Sequence, residues 1–343
     1  MKKTQVALAA LALVASTAAL ADGVKLYGAM DLGYQSGTGG ASLNSNGDKQ
    51  AIVDSLAGPT FLGVTGSTEL DNGMTATYDL LTTPTPTTIS GGFVFLLGNV
   101  GLSGSKGTIK IGQTVDSFWG QGLSQFDVTG GSNMGSLVTM AFMHGATGVF
   151  HDNTVQYVMP ETAGFNGGFT YVANDGASAR TSADTTKGSM SAAGTYNMDG
   201  VKLGYGISSV DNAVGVRNKS YFLGAGTDLG FGTINGVYLH SSQTVGFDAT
   251  LTGEKTGTWG VNSAIPLGGA LTGIVSYYSS DKANIKGTDT VIGLRYAASK
   301  STTLYANYEK ATGATILGLG QNGGVPGQGT DGRILSVGVR VGF

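Results

Sequence analysis

The feature that most restricts this chain is a period of two. Residues 335–343 read LSVGVRVGF, with Val337, Val339, Val341 and Phe343 on one parity and Ser336, Gly338, Arg340 and Gly342 on the other. Side chains alternate across a strand, so this segment has one apolar face and one small or polar face. The same alternation opens the chain's first such run, GVKLYGAMDLGYQ (23–35). There Val24, Leu26, Met30, Leu32 and Tyr34 oppose Lys25, Tyr27, Asp31 and Gln35. Further runs follow at 58–70, 74–83, 92–104, 108–115, 152–160, 167–175, 188–199 and 201–210. Others lie at 219–229, 232–241, 255–265, 270–280, 288–299, 302–311 and 332–343, which makes sixteen in all.

Sixteen two-faced strands need an environment for sixteen apolar faces. A strand of about ten residues, tilted, crosses a bilayer. After the N-terminal leader no apolar run reaches the length of a spanning helix, and a closed barrel is the other spanning structure that pairs every backbone group. The connections alternate between short turns (71–73, 105–107, 199–200, 299–301) and longer loops (36–57, 83–91, 174–187, 281–287, 312–331). Asp71-Asn72-Gly73 and Asp199-Gly200 carry tight-turn chemistry. Short turns on one side and long loops on the other are the asymmetry of an outer-membrane barrel, and an even strand count puts both ends on the short-turn side. The expected fold is therefore all-β: a sixteen-stranded antiparallel transmembrane β-barrel. A soluble sandwich would not need one continuous outer apolar face. Calcium-binding Gly-rich repeats would show a nonapeptide period, whereas NGGVPGQGTDG (322–332) is a single loop.

Composition fits that reading. The chain has 59 glycines in 343 residues and 12% charged residues. Small residues keep a lumen open, and glycine permits the bends of a closed sheet. MKKTQVALAALALVASTAALA has a basic start, a short apolar core and an A-x-A ending, so residues 1–21 read as a signal peptide and 22–343 as the barrel. Removing Lys2 and Lys3 leaves 17 basic residues against 22 acidic ones, and no basic patch suggests nucleic acid. There is no cysteine, hence no thiolate nucleophile or thiolate metal ligand. His144, His151 and His240 match no metal-ligand spacing. His240 and Ser241 are adjacent in a strand and point to opposite faces, so they cannot act as base and nucleophile. No enzyme, cofactor or metal is expected.

The longest connection, 116–151, contains Phe118, Trp119, Phe126 and Phe142 together with Met134, Met140 and Met143. A long connection in a compact domain is usually functional. This apolar one is expected to fold into the lumen and pack on the inner wall. Lys25, Asp31, Asp79, Lys110, Lys202, Arg295, Glu309 and Arg340 sit on the polar phase of their strands and are the candidate lumen charges. Arg340, close to the short-turn end, is expected at the channel mouth. Tyr34, Tyr157, Tyr171 and Tyr296 are candidates for an interfacial aromatic girdle.

Six blocks, in order, resemble the trimeric general porins of the beta-proteobacterial type: VKLYGAMDLG (24–33), FLGVTGSTELDNGMTATYDL (61–80), VGLSGSKGTIKIGQ (100–113), DNTVQY (152–157), YAASKSTTLYANYEKA (296–311) and VGVRVGF (337–343). The resemblance implies a homotrimer in outer-membrane lipid and lipopolysaccharide, with 116–151 as the infolded third loop. It further implies that Phe343 is the terminal aromatic read by the barrel-assembly machinery. The family's wall arginines facing that loop are replaced here by Phe61, Gln113 and Gln156, and a basic position is Thr65. The loop offers Asp116 and Asp127 as acids. Rings of charge select ions, so the constriction, lined by Phe61, Lys110, Gln113, Asp116, Trp119, Phe126, Asp127 and Gln156, is expected to be weakly charged.

The expected function is passive diffusion of small hydrophilic solutes and ions across an outer membrane. The alternative is a solute-specific channel, with Gln113, Gln156, Trp119 and Phe126 holding a sugar. A third reading is a barrel serving adhesion or outer-membrane enzymology.

Overall fold

The computed structural model describes residues 23–39, 48–84, 93–131, 137, 149–173, 188–211, 217–242, 255–282, 285–312 and 331–343. Six strand segments precede the long connection: β1 (Lys25–Gly39), β2 (Gln50–Asp54), β3 (Phe61–Glu69), β4 (Thr75–Pro84), β5 (Phe93–Gly104) and β6 (Gly107–Val115). After it come β7 (Phe150–Val158), β8 (Phe165–Val172), β9 (Ser189–Met198), β10 (Val201–Asp211), β11 (Arg217–Asp228) and β12 (Thr233–Ser241). The chain continues through β13 (Thr256–Gly268), β14 (Leu271–Lys282), β15 (Ile285–Ala297), β16 (Thr302–Thr312) and β17 (Gly332–Gly342).

All pairings between these segments are antiparallel, and β1 pairs with β17, so the sheet closes on itself. β2 and β3 lie along one edge of β1. β2 pairs with Leu32–Ser36 and β3 with Lys25–Ala29. They are one wall strand interrupted at residues 55–60, and the wall is a closed barrel of sixteen strands. Tight turns hold the hairpins on one rim. Asp199 and Gly200 take φ of 49° and 81°, the left-handed pair that matches the twist of a two-residue hairpin.

Alternation sorts the faces. Val337, Val339, Val341 and Phe343 point outward and are exposed, as are Tyr34, Tyr157, Tyr171 and Tyr296. Ser336, on the other parity, is fully buried on the inner side. In lipid the outward apolar face costs nothing. The packed apolar clusters instead lie inside the barrel, where water in the lumen makes burial favourable. One gathers Phe118, Trp119, Leu123, Phe126 and Leu137 against Ala193, Phe222, Val237, Leu239 and Tyr278. The other gathers Val53, Leu56 and Ala57 against Tyr305, Ala311 and Ile334.

Two connections differ from the sequence expectation. Residues 36–57 are not all loop, because β1 runs on to Gly39 and Gln50–Asp54 returns as a strand beside it. Residues 281–287 are not a long loop, since β14 and β15 extend to leave 283 and 284 between them. Polar residues at a strand's extracellular end still pair backbone to backbone, which side-chain patterning does not register. The leader 1–21, Met134, Phe142, Met140, Met143 and His144 lie outside the described residues.

Candidate functional site

The long connection enters the lumen from Val115 and turns at once. Asp116, buried at 2% exposure, accepts the Phe118 amide on its carboxylate at 2.7 Å, while its carbonyl accepts the amides of Trp119 and Gly120. This starts a π-helical turn, Phe118–Gly122, that runs into a 3-10 turn, Leu123–Phe126. Gln156 on β7 secures the entry, donating to the Val115 carbonyl, Ser117 and Thr170. Ser117 also bonds Thr170 on β8 through both its amide and its hydroxyl.

The loop then follows the inner wall. Phe118 meets Phe222 of β11 edge-on at 5.1 Å, and Phe126 meets the same ring at 6.4 Å. Glycines make room. A Cβ on Gly204, Gly206 or Gly224 would collide with Phe126 or Phe222, so β10 and β11 form a smooth bed for these rings. Lys202 donates to the Gln125 carbonyl and lies 5.9 Å above the Phe126 ring, a cation–π distance. Asn262 of β13 donates to the Phe126 carbonyl at 2.8 Å. Arg295 of β15 donates to the Thr129 carbonyl at 2.6 Å. Asp127 closes the turn by accepting the Thr129 amide and hydroxyl and the Gly131 amide. Burial pushes its carboxyl above the ordinary range, opposed by those hydrogen bonds and by the nearby Arg295 charge.

A second, shorter infold stands at the break between β2 and β3. Asp31 of β1 is fully buried and organises it. Its carboxylate accepts the Ala57 amide at 2.7 Å and the Tyr305 hydroxyl at 2.6 Å, and its carbonyl accepts the Ser55 amide. The Thr60 hydroxyl bonds the Asp31 backbone on both sides. Arg340 of β17 is the strand partner of Asp31, lies over Gly58, and donates to the Pro59 carbonyl at 2.8 Å. Arg340 is thus built into the infold and is not a mouth charge. Its side chain crosses β1 to reach Pro59 at the strand break. Asp31, Asp127 and Arg340 all lie close enough to act electrostatically on Arg295.

Between the two infolds stands the wall of β3–β6, which meets the long loop where Val115 packs against its ring cluster. Phe61 faces the lumen opposite Ala29 and stacks obliquely on Tyr27 at 5.8 Å. The Tyr27 hydroxyl donates to Asp79 at 2.7 Å. Register places Lys110, Asp79 and Lys25 on this same inner face. Glu309 lies buried on the inner face of β16, hydrogen-bonded to Asp289 of β15.

Several expected lining residues lie elsewhere. Gln113 pairs with Gly98 on the parity of Ile109 and Ile111, and so belongs to the outer face; it donates to the Phe95 carbonyl. Alternation from Ile109 and Ile111 already puts Gln113 outside; only its correspondence to a family arginine position had placed it in the lumen. Trp119 and Phe126 are 1% and 0% exposed, Gln156 is spent on the loop base and Gln113 faces outward, so the four residues of the sugar-site reading present no shared surface to the lumen. Asp116 is a buried cap facing His151 at 3.6 Å and not a lining acid. Tyr305, Asn262 and the segment 55–60 were not anticipated. Gly58-Pro59 marks a turn in sequence, but nothing there says that it points inward.

A closed barrel with an apolar outside, a polar inside and an apolar loop laid along its inner wall defines a transmembrane channel of the porin class. A Gram-negative porin family model matches residues 7–314, and the chain belongs to that family. The outer membrane porin protein 32 of Delftia acidovorans is 28% identical over 369 residues, covering 100% of this chain and 99% of that protein. An anion-selective porin from Comamonas acidovorans superimposes with a TM-score of 0.77 at 23% identity, covering 93% of this chain and 99% of that one. A trimer form of OmpT from Vibrio cholerae gives 0.66 at 14% identity, covering 93% and 99%. The protein is an outer-membrane porin, and its fold is that of a channel rather than an enzyme.

Proposed function

We propose that this porin passes small hydrophilic solutes and ions by passive diffusion through a constriction of nearly balanced charge. The carrying observation is the docked loop. With Phe118, Trp119, Leu123 and Phe126 all at 1% exposure or less, it narrows the lumen as a fixed element. Around it, Lys110, Lys202, Arg295 and Arg340 stand against Asp31, Asp79 and Asp127, a near balance of mixed charge. Such matching supports weak ion selectivity, although a structural relative carries the description anion-selective. Single-channel recording in planar bilayers under a salt gradient tests this. Expected are discrete conductance steps and a reversal potential near zero; a large reversal potential of either sign overturns the balanced reading, and no conductance overturns the channel.

The finer assembly follows the same reading. Residues 1–21 are a cleaved signal peptide, which intact-mass measurement of the mature chain checks. The barrel is a homotrimer in lipid and lipopolysaccharide, as one structural relative is described as a trimer form. Phe343, whose backbone pairs both ways with Gly28, is the address for the assembly machinery.

A further inference from the structure

The break at residues 55–60 is held with more hydrogen bonds than a passing loop needs. Five link Asp31 to Ser55, Ala57, Thr60 and Tyr305, and a sixth joins Ser55 to Thr60. Leu56 is 1% exposed, packed with Val53, Tyr305 and Ile334. Ser55 holds φ at 60°, an uncommon conformation for a residue with a side chain. A segment fixed this firmly inside a water-filled lumen is a wall feature of the pore.

Its charges are presented unequally. Asp31 is fully buried with its carboxylate engaged. Arg340 is partly exposed and makes one hydrogen bond to the protein, to Pro59, out of the five its guanidinium can donate. Arg295 donates to Thr129 on the facing loop, but its Nε is buried with no partner among the described residues, so Arg295 is the less accessible of the two. Water in the gap therefore meets the Arg340 guanidinium, while the Asp31 carboxylate lies behind it.

We propose that residues 55–60 are a second constriction arm facing the long loop. Arg340 is its selectivity-determining residue, and Asp31 is the positioning residue that holds the arm and tempers the Arg340 charge. The proposal rests on the channel reading and names what sets its charge preference.

The test is the sign of the change in reversal potential across a potassium chloride gradient. Arg340→Gln is expected to shift preference toward potassium, and Asp31→Asn toward chloride. Tyr305→Phe removes a hydrogen bond without removing charge, so it should alter conductance or open-channel noise while leaving the reversal potential in place. Arg340→Lys should keep the wild-type reversal potential. A merely structural role would move Arg340→Gln and Asp31→Asn in the same direction by loosening the same segment, and that outcome overturns the proposal. So does an unchanged reversal potential in both. If Arg340→Gln does not insert, Arg340→Lys and Asp31→Asn still decide: a shift of the reversal potential toward potassium in either overturns it. Absence of conductance in the wild-type protein would instead overturn the channel reading on which the arm depends.

Discussion

Asp127 shows how one side chain couples the pore to pH. Its carboxyl is held above the ordinary range by burial. The fold therefore favours its protonated form. Any stability gained this way is complete below the unfolded value near 3.8 and lost as pH rises through the higher folded value. On acidification Asp127 should give up its charge ahead of exposed carboxylates, leaving Arg295 less opposed. Reversal potentials recorded at stepwise lower pH should drift toward chloride, and Asp127→Asn should flatten that part of the drift. Glycine at the loop bed is a second sensitive point. Gly224→Val would drive a branched side chain into the Phe126 ring. Overpacking of this kind costs about 1–3 kcal/mol, and the expected relief is loop displacement, read as a larger single-channel conductance.

Between residues and barrel stand the two infolds, and they differ in how they are fastened. The long one is held mainly by rings: burying each of Phe118, Trp119 and Phe126 is worth roughly 1.5–3 kcal/mol. The short one is held by polar contacts to Asp31. Tyr305→Phe should accordingly loosen the short arm by about 1–3 kcal/mol, the cost of leaving a buried acceptor unmet, detected as faster amide exchange at Ala57. Trp119→Ala should act on the long loop and leave Ala57 exchange unchanged. The long infold was readable in the sequence, because a connection rich in Phe, Trp and Met has no reason to stay in water. The short one was not. Ser-Leu-Ala-Gly-Pro-Thr has the composition of any loop, and its anchor, Asp31, looked like one more polar-phase charge. The strands themselves were legible, since a period of two runs through most of each, broken only locally, as at Phe95–Leu97 of β5. The face of Gln113 was mistaken for another reason: it was assigned from the family pattern, whereas alternation from Ile109 and Ile111 puts it outside.

At the scale of the whole molecule, closure brings together residues that are distant in the chain. Gln35 bonds Ser336 across 301 positions, and Tyr305 reaches Asp31 across 274. Pairings between such remote segments form late, after the intervening chain has been ordered. Arg340 comes from the final strand and Asp31 from the first, so the pair straddles the join between them. Fourteen strands could be in place and the electrostatic character of the passage would still be unwritten. A barrel caught with its first and last strands apart would be a leak of another electrostatic character, and the step that seals the cylinder is also the step that sets its charge balance.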